Sequence, residues 1–326
     1  MAKADDIVGL DCEARALEGV ALVLRTRLAE MCGFREAALD GSDAAGVHDM
    51  RVASRRLRSA MADFAPYLHG RLPRKRLRQL AATLGAVRDE DVTQAALADL
   101  AREAESDLAA GFRSILTTRQ ERHDDARALL ALALEEAALE ALQQKFLHKL
   151  ADATSVHEAE REDVDHKQAI SFREMGREII AARLTGLITR SRALYQPHKV
   201  ERLHRLRIAA KRLRYALELF APCWGEQLQD AAAEVATLQK ALGDLHDSDV
   251  WLDELGALLE QTRVRKDKLT SETKAVRTNE RRAAFQLLSH FTRERTGHYL
   301  DALACWEDWE TKSFFAHLRE LSNNCS

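Results

Sequence analysis

Five side chains able to hold an anion appear in this sequence and appear again, in the same order, 156 residues later. The first set, His48, Arg51, Arg55, Arg56 and Arg58, lies in residues 47–66, VHDMRVASRRLRSAMADFAP. The second, His204, Arg207, Lys211, Arg212 and Arg214, lies in residues 203–222, LHRLRIAAKRLRYALELFAP. Ten of the twenty aligned residues are identical, and where Arg55 becomes Lys211 the charge is kept. Arginine suits anion binding because its planar fork gives two parallel hydrogen bonds to neighbouring oxygens and stays charged at any physiological pH. An isolated basic run usually reads as a solvated helix face pairing with nearby acids. A solvated face, however, has no reason to repeat the same positions while the residues between them drift.

Read as a helix, Val47, Met50, Ser54, Leu57, Met61 and Phe64 line one face, matched in the second copy by Leu203, Leu206, Ala210, Leu213, Leu217 and Phe220. That face is core. His48, Arg51, Arg55 and Arg58 form a separate stripe, as do His204, Arg207, Lys211 and Arg214, because positions three and four apart stack on one side. Arg56 and Arg212 point away from it. Such a stripe spans about 15 Å at 1.5 Å per residue, too long for one small anion and suited to an extended one. The histidines that open the stripes should resist protonation beside so many cations, whereas a bound polyanion would favour the imidazolium, so binding is expected to tighten as pH falls toward about 6.

The charge distribution supports this. Residues 47–80 carry nine Lys or Arg against two acids, and residues 198–215 carry seven against one, on a chain of net charge -3. Two equivalent places are basic and the rest is acidic, and a focused patch attracts a polyanion despite an unfavourable total. Arg74 and Arg78, on the flank of a following helix that opens at Pro73, belong to the first basic region.

A second block follows each stripe: LGAVRDEDV at residues 84–92 and LGDLHDSDV at 242–250, with five of nine residues shared. Gly85 is expected to close the preceding helix, leaving Asp89, Asp91, Asp247 and Asp249 to cap the next one and to hold Arg56 and Arg212. The pairs His48-Asp49, His123-Asp124 and His246-Asp247 invite a metal-dependent phosphohydrolase reading. Such a site needs further converging ligands and would set a metal among arginines. No Gly-rich phosphate loop, nucleophile elbow or HExxH occurs, so no catalytic residue, metal site or cofactor is assigned.

The elements that must position these residues are helices. The chain of 326 residues has four prolines, few aromatics and a surplus of Ala, Leu, Glu and Arg. Helices are expected over about 7–39, through the first stripe to near Pro66, from Pro73, across about 89–150, from about 171 to 195, through the second stripe, and on to near residue 321. The polar run SVHEAEREDVDH, around 155–166, reads as a linker between halves 1–160 and 161–326. The expected fold is all-α: two antiparallel four-helix bundles related by a pseudo-twofold, with a basic groove or pore between them. Trp306, Trp309, Phe314 and Phe315 are expected in the core of the second.

Cys12, Cys32, Cys223, Cys305 and Cys325 show no CxxC spacing and are odd in number, which reads as reduced thiols in a cytoplasmic protein. The acidic start, MAKADDIVGLDCE, does not resemble a signal peptide, and no run of eighteen apolar residues exists to span a membrane.

HxxRVxxRRLRS followed by LGxxRDxDV, present in both halves, resembles the CHAD domain, the conserved histidine α-helical domain. The resemblance covers nearly the whole chain. It implies two four-helix bundles around a basic pore, and binding of inorganic polyphosphate without catalysis, in the cytoplasm and at polyphosphate granules. Carried residue by residue, it places the signature basics on the ten residues named above. Family members are often fused to a triphosphate tunnel metalloenzyme domain, but this chain lacks the length and the ExExK-type motif for one, so it looks like a stand-alone member. His246 in place of Arg88, and the absence of a counterpart to the basic cluster of residues 74–78, imply a pore charged asymmetrically. The competing reading, a nucleic-acid binder, lacks aromatics within the stripes to stack on bases and Asn or Gln there to read base edges.

Overall fold

In a computed structural model, which describes residues 4–155, 170–264 and 271–323, the chain is helical from α1 (Ala16–Gly33) to α11 (Phe314–Asn323). Between them run α2 (Arg35–Leu39), α3 (Ala45–Phe64), α4 (Arg74–Glu103), α5 (Ser106–Ala133), α6 (Glu136–Thr154), α7 (Phe172–Ile188), α8 (Val200–Trp224), α9 (Glu226–Val264) and α10 (Ser271–Thr311). Among the described residues there is no strand, only an isolated bridge between Arg15 and Ser171. No helix among them is long and apolar enough to cross a membrane. The expected linker and the boundary at 160/161 lie outside the described residues.

Local chemistry sets the ends of several helices. Pro66 interrupts the ladder, and α3 gives way to a single 3-10 turn, Ala65–Tyr67. Ser171 accepts from the amide of Glu174 while the Glu174 carboxylate accepts from the Ser171 amide, a reciprocal cap that starts α7. The helix expected over 7–39 begins only at Ala16 and breaks at Phe34.

The expected stops at Gly85 and in the HDSDV block do not occur. Both LG blocks lie inside unbroken helices, α4 and α9. A lone glycine costs a helix only about 1 kcal/mol relative to Ala and does not end it. The four aspartates are therefore not caps, because they project from the middle of helices.

Helices α3 and α8 pack against each other, α3 is flanked by α1 and α8 by α7, and α1 and α7 also meet. Their apolar faces join in one core shared by both halves. At its centre Phe64, Phe172 and Phe220 form a cluster, with ring centroids 6.2 Å apart for Phe64 with either partner and 5.0 Å apart for Phe172 with Phe220. Gly19 and Gly176 let α1 and α7 close over these rings: a Cβ at Gly19 would lie 2.3 Å from Phe172, and one at Gly176 would lie 2.7 Å from Phe220. Trp306 and Trp309, both buried, close the core near α11 together with Phe314 and Phe315. A smaller apolar cluster of Leu97, Phe112, Leu255, Ala283 and Leu287 ties together the distal parts of α4, α5, α9 and α10.

The expectation of reduced thiols is corrected by a disulfide between Cys12 and Cys223, 211 residues apart. A bridge between such distant positions has no local spacing signature. It fastens the segment before α1 to the end of α8. Cys32 and Cys305 are free thiols whose pKa values burial pushes up to about 11. Cys325 lies outside the described residues.

Candidate functional site

Because α3 and α8 pack side by side, their basic stripes meet. Arg55 and Arg58 of α3, Arg74 and Arg78 of α4, and Lys211 and Arg212 of α8 line one cavity of about 520 Å³. Ser59 and Tyr215, which occupy matching positions in the two repeats, also line it, with Met61, Ala62, Leu77 and Ile208 as its apolar wall. Among the described residues, no carboxylate lines the cavity.

Burial, and after it the crowding of like charge, lowers the pKa values of two of these groups. Burial, reinforced by Arg55, Arg207, Arg58 and Arg212, pushes the Lys211 ammonium down to about 8. Arg58 is lowered by burial and then by Arg55 and Arg78. A site that already strains against its own charge stabilises any anion placed in it.

Further along the stripes the electrostatics become mixed. Arg51 donates to Asp89 at 3.2 Å. Burial lowers the pKa values of Arg51 and Arg207, and each of these arginines is opposed by both Asp89 and Asp247. Asp247 is raised by burial, against the pull of Arg207. Gly85 and Gly243 lie where these arginines cross α4 and α9, with a Cβ at either coming to 3.9 or 3.8 Å from the Nε of Arg51 or Arg207.

Beyond them lie the histidines. The rings of His204 and His246 are 4.4 Å apart. His48 is held below its usual pKa by burial and then by Arg88, and His204 by burial and then by Arg207 and Lys211. His246 is pushed to about 4 by burial, Arg207 and His204. The buried Nδ1 atoms of all three lack a hydrogen-bond partner among the described residues.

Six of the twelve expected site residues do not line the cavity: His48, Arg51, His204 and Arg207 lie further along the stripes, and Arg56 and Arg214 are held by other partners. Arg56 pairs with Glu30 of α1 at 3.2 Å, beside the buried Arg27–Glu30 pair. Arg214, only 8% exposed, donates to Glu218 at 2.6 Å and to Gln239. The partners expected for Asp89, Asp91, Asp247 and Asp249 are also corrected. Asp89 takes Arg51, Asp91 meets His123 at 3.0 Å, and Asp249 takes Arg295 at 2.5 Å. Packing decides this, because carboxylates in mid-helix face whichever neighbour lies across the groove. Sequence reasoning missed Ser59 and Tyr215, although their alignment between the repeats was a usable signal. Among the described residues, no group of three or more His, Cys, Asp or Glu is placed to hold a metal ion.

The CHAD domain family model matches residues 22–256, which include both stripes and both LG blocks. The chain belongs to the CHAD domain family. A solved structure, the crystal structure of the CHAD domain from the plant Ricinus communis, superposes with a TM-score of 0.67 at 24% sequence identity, covering 90% of this chain and 95% of that one. This likeness extends the shared fold beyond the residues that the family model matches. Comparison with curated protein sequences gave no match. All six basic residues that line the cavity of this CHAD domain lie within the matched residues.

Proposed function

We propose that this CHAD protein binds inorganic polyphosphate, without cleaving it, in the cavity between α3, α4 and α8. The observation that carries the reading is the convergence of six Lys and Arg side chains on a cavity with no lining carboxylate. A linear polymer of closely spaced anions satisfies several guanidinium forks at once, and each contact releases counterions, as on nucleic acids. Catalysis is not part of the proposal, because the cavity lining offers no carboxylate or histidine as a general base. Association with polyphosphate granules follows as a consequence of binding the polymer.

The test is a titration of defined-length polyphosphate, single-stranded DNA and duplex DNA at several salt concentrations, with and without Mg²⁺, while chain length is followed on a gel. Tight, salt-dependent polyphosphate binding without shortening is expected. Reversal of Arg55 and Lys211 together to Glu should abolish it and leave helicity intact. Equal affinity for DNA would favour a nucleic-acid binder, and shortening of the polymer would make the protein a hydrolase.

A further inference from the structure

A second cationic cavity, of about 440 Å³, opens between α7 and α8 and is lined by Arg183, Arg190, Arg205 and Arg212. It shares Ile208 and Arg212 with the first cavity, so the two abut across one helix, and among the described residues no carboxylate lines either of them. The repeated motif marks only part of it, because Arg205 and Arg212 lie in the second copy whereas Arg183 and Arg190 precede it, on α7 and just beyond its end.

The cations there differ in how firmly they are held. Arg183 is fixed by Asp63, donating through Nε to Oδ1 at 2.6 Å. Asp63 is itself buried, with its second oxygen lacking a hydrogen-bond partner among the described residues. Arg190 spends one donor on the Gly186 carbonyl at 2.7 Å and makes no ion pair among the described residues, nor does Arg212. Arg205 pairs with Glu201, but both side chains are largely exposed, and such a pair is readily exchanged for a stronger anion. Three of the four arginines around this cavity are therefore open to an incoming anion.

The corresponding place in the first half is closed. Arg56, 156 residues before Arg212, is taken by Glu30, and the space beside it measures only about 30 Å³ and is lined by Glu218. An anion leaving the first cavity thus finds a cationic continuation on one side only.

We infer that a polyphosphate chain too long for the first cavity runs over Arg212 and Ile208 and lays its next phosphates in the α7–α8 cavity, on Arg190 and Arg205. This rests on the proposed function and adds a one-sided length sensor to it. Short chains are held by the first cavity alone, and long chains gain the second.

The experiment compares tripolyphosphate with long-chain polyphosphate on the full chain and on the double variant Arg190→Gln/Arg205→Gln. A control, Arg102→Gln/Arg293→Gln, removes the same charge elsewhere on the surface. The expected result is unchanged tripolyphosphate affinity, long-chain affinity lowered about tenfold, and a long-chain salt slope reduced by about 2, one for each phosphate that is no longer neutralised. Long-chain binding equal to that of the control would overturn the inference. A failure of the underlying reading is seen separately, as tripolyphosphate binding that survives Arg55→Glu/Lys211→Glu. All four substituted arginines lie on the protein surface, and circular dichroism checks that the variants are folded.

Discussion

Arg51 donates to Asp89 at 3.2 Å, and Asp247 bears on the same guanidinium from the other half of the chain. The two repeats thus contribute one carboxylate each to the inner end of the basic stripes, where Arg51 and Arg207 are partly neutralised before any ligand arrives. A bound polyanion must compete with both acids. Asp89→Asn together with Asp247→Asn keeps the shape and removes the competition, so polyphosphate affinity should rise about tenfold, or about 1.4 kcal/mol. Isothermal titration at fixed salt checks this. Weaker binding would mean that the carboxylates hold the arginines in their binding geometry.

Lys211 gives the cavity a pH limit that arginine alone would not. In the free protein its ammonium is pushed down to about 8 by burial and then by Arg55, Arg207, Arg58 and Arg212. A bound polyanion favours the charged form, so binding above this value must take up a proton, and affinity should fall as pH rises from 8 toward 10. The limiting slope is tenfold per pH unit, one proton being linked to one group. Lys211→Arg should flatten this limb, because arginine remains charged throughout. An unchanged alkaline limb in that variant would remove Lys211 from contact with the ligand. On the acid side the depressed pKa values of His48 and His204 carry the same sign, so affinity should climb again as pH falls below 7.

How much of this was legible depended on whether the deciding partner was near in sequence. The stripes were legible because residue type, helical period and repetition agreed, and the all-α fold followed from composition and the lack of proline. The separate fates of Arg58 and Arg214 were legible too, though not read. Four residues beyond Arg214 stands Glu218, within reach on the same helix face, whereas the matching residue beyond Arg58 is Ala62. Arg58 stays in the cavity and Arg214 is drawn out of it. The capture of Arg56 by Glu30, the cavity beside α7 and the Cys12–Cys223 bridge were not legible, since each joins residues that only tertiary packing brings together. The long helices α4 and α9 were misread because glycine beside charged residues resembles a turn, although it does not compel one.

The aromatic cluster beneath the stripes should tolerate neither filling nor emptying. Phe172 and Phe220 are fully buried, so they cannot move aside for a methyl group at Gly19 or Gly176. Gly19→Ala and Gly176→Ala should each cost about 1–3 kcal/mol by overpacking, despite the better helix propensity of alanine. Phe64→Ala, which leaves a cavity among the same rings, should cost about 3–5 kcal/mol. Urea unfolding, with the slope compared between variants, measures all three. A stabilised Gly176→Ala variant would show that α7 can shift away from Phe220.

The bridge between Cys12 and Cys223 closes a loop of most of the chain and so constrains the unfolded state far more than a local link would. It joins the segment before α1 to the last turn of α8, away from both cationic cavities, whose linings include neither residue. Stability and binding should therefore separate. Cys12→Ser/Cys223→Ser should lose about 2–4 kcal/mol against unfolding, and wild type treated with reductant should unfold at the same denaturant concentration as that variant. Polyphosphate affinity should stay at the wild-type value in every redox state. Two outcomes would contradict this: unfolding of wild type that is indifferent to reductant, meaning that the bridge contributes nothing to the folded state, or a loss of affinity on reduction, meaning that the end of α8 helps to set the position of Lys211 and Arg212.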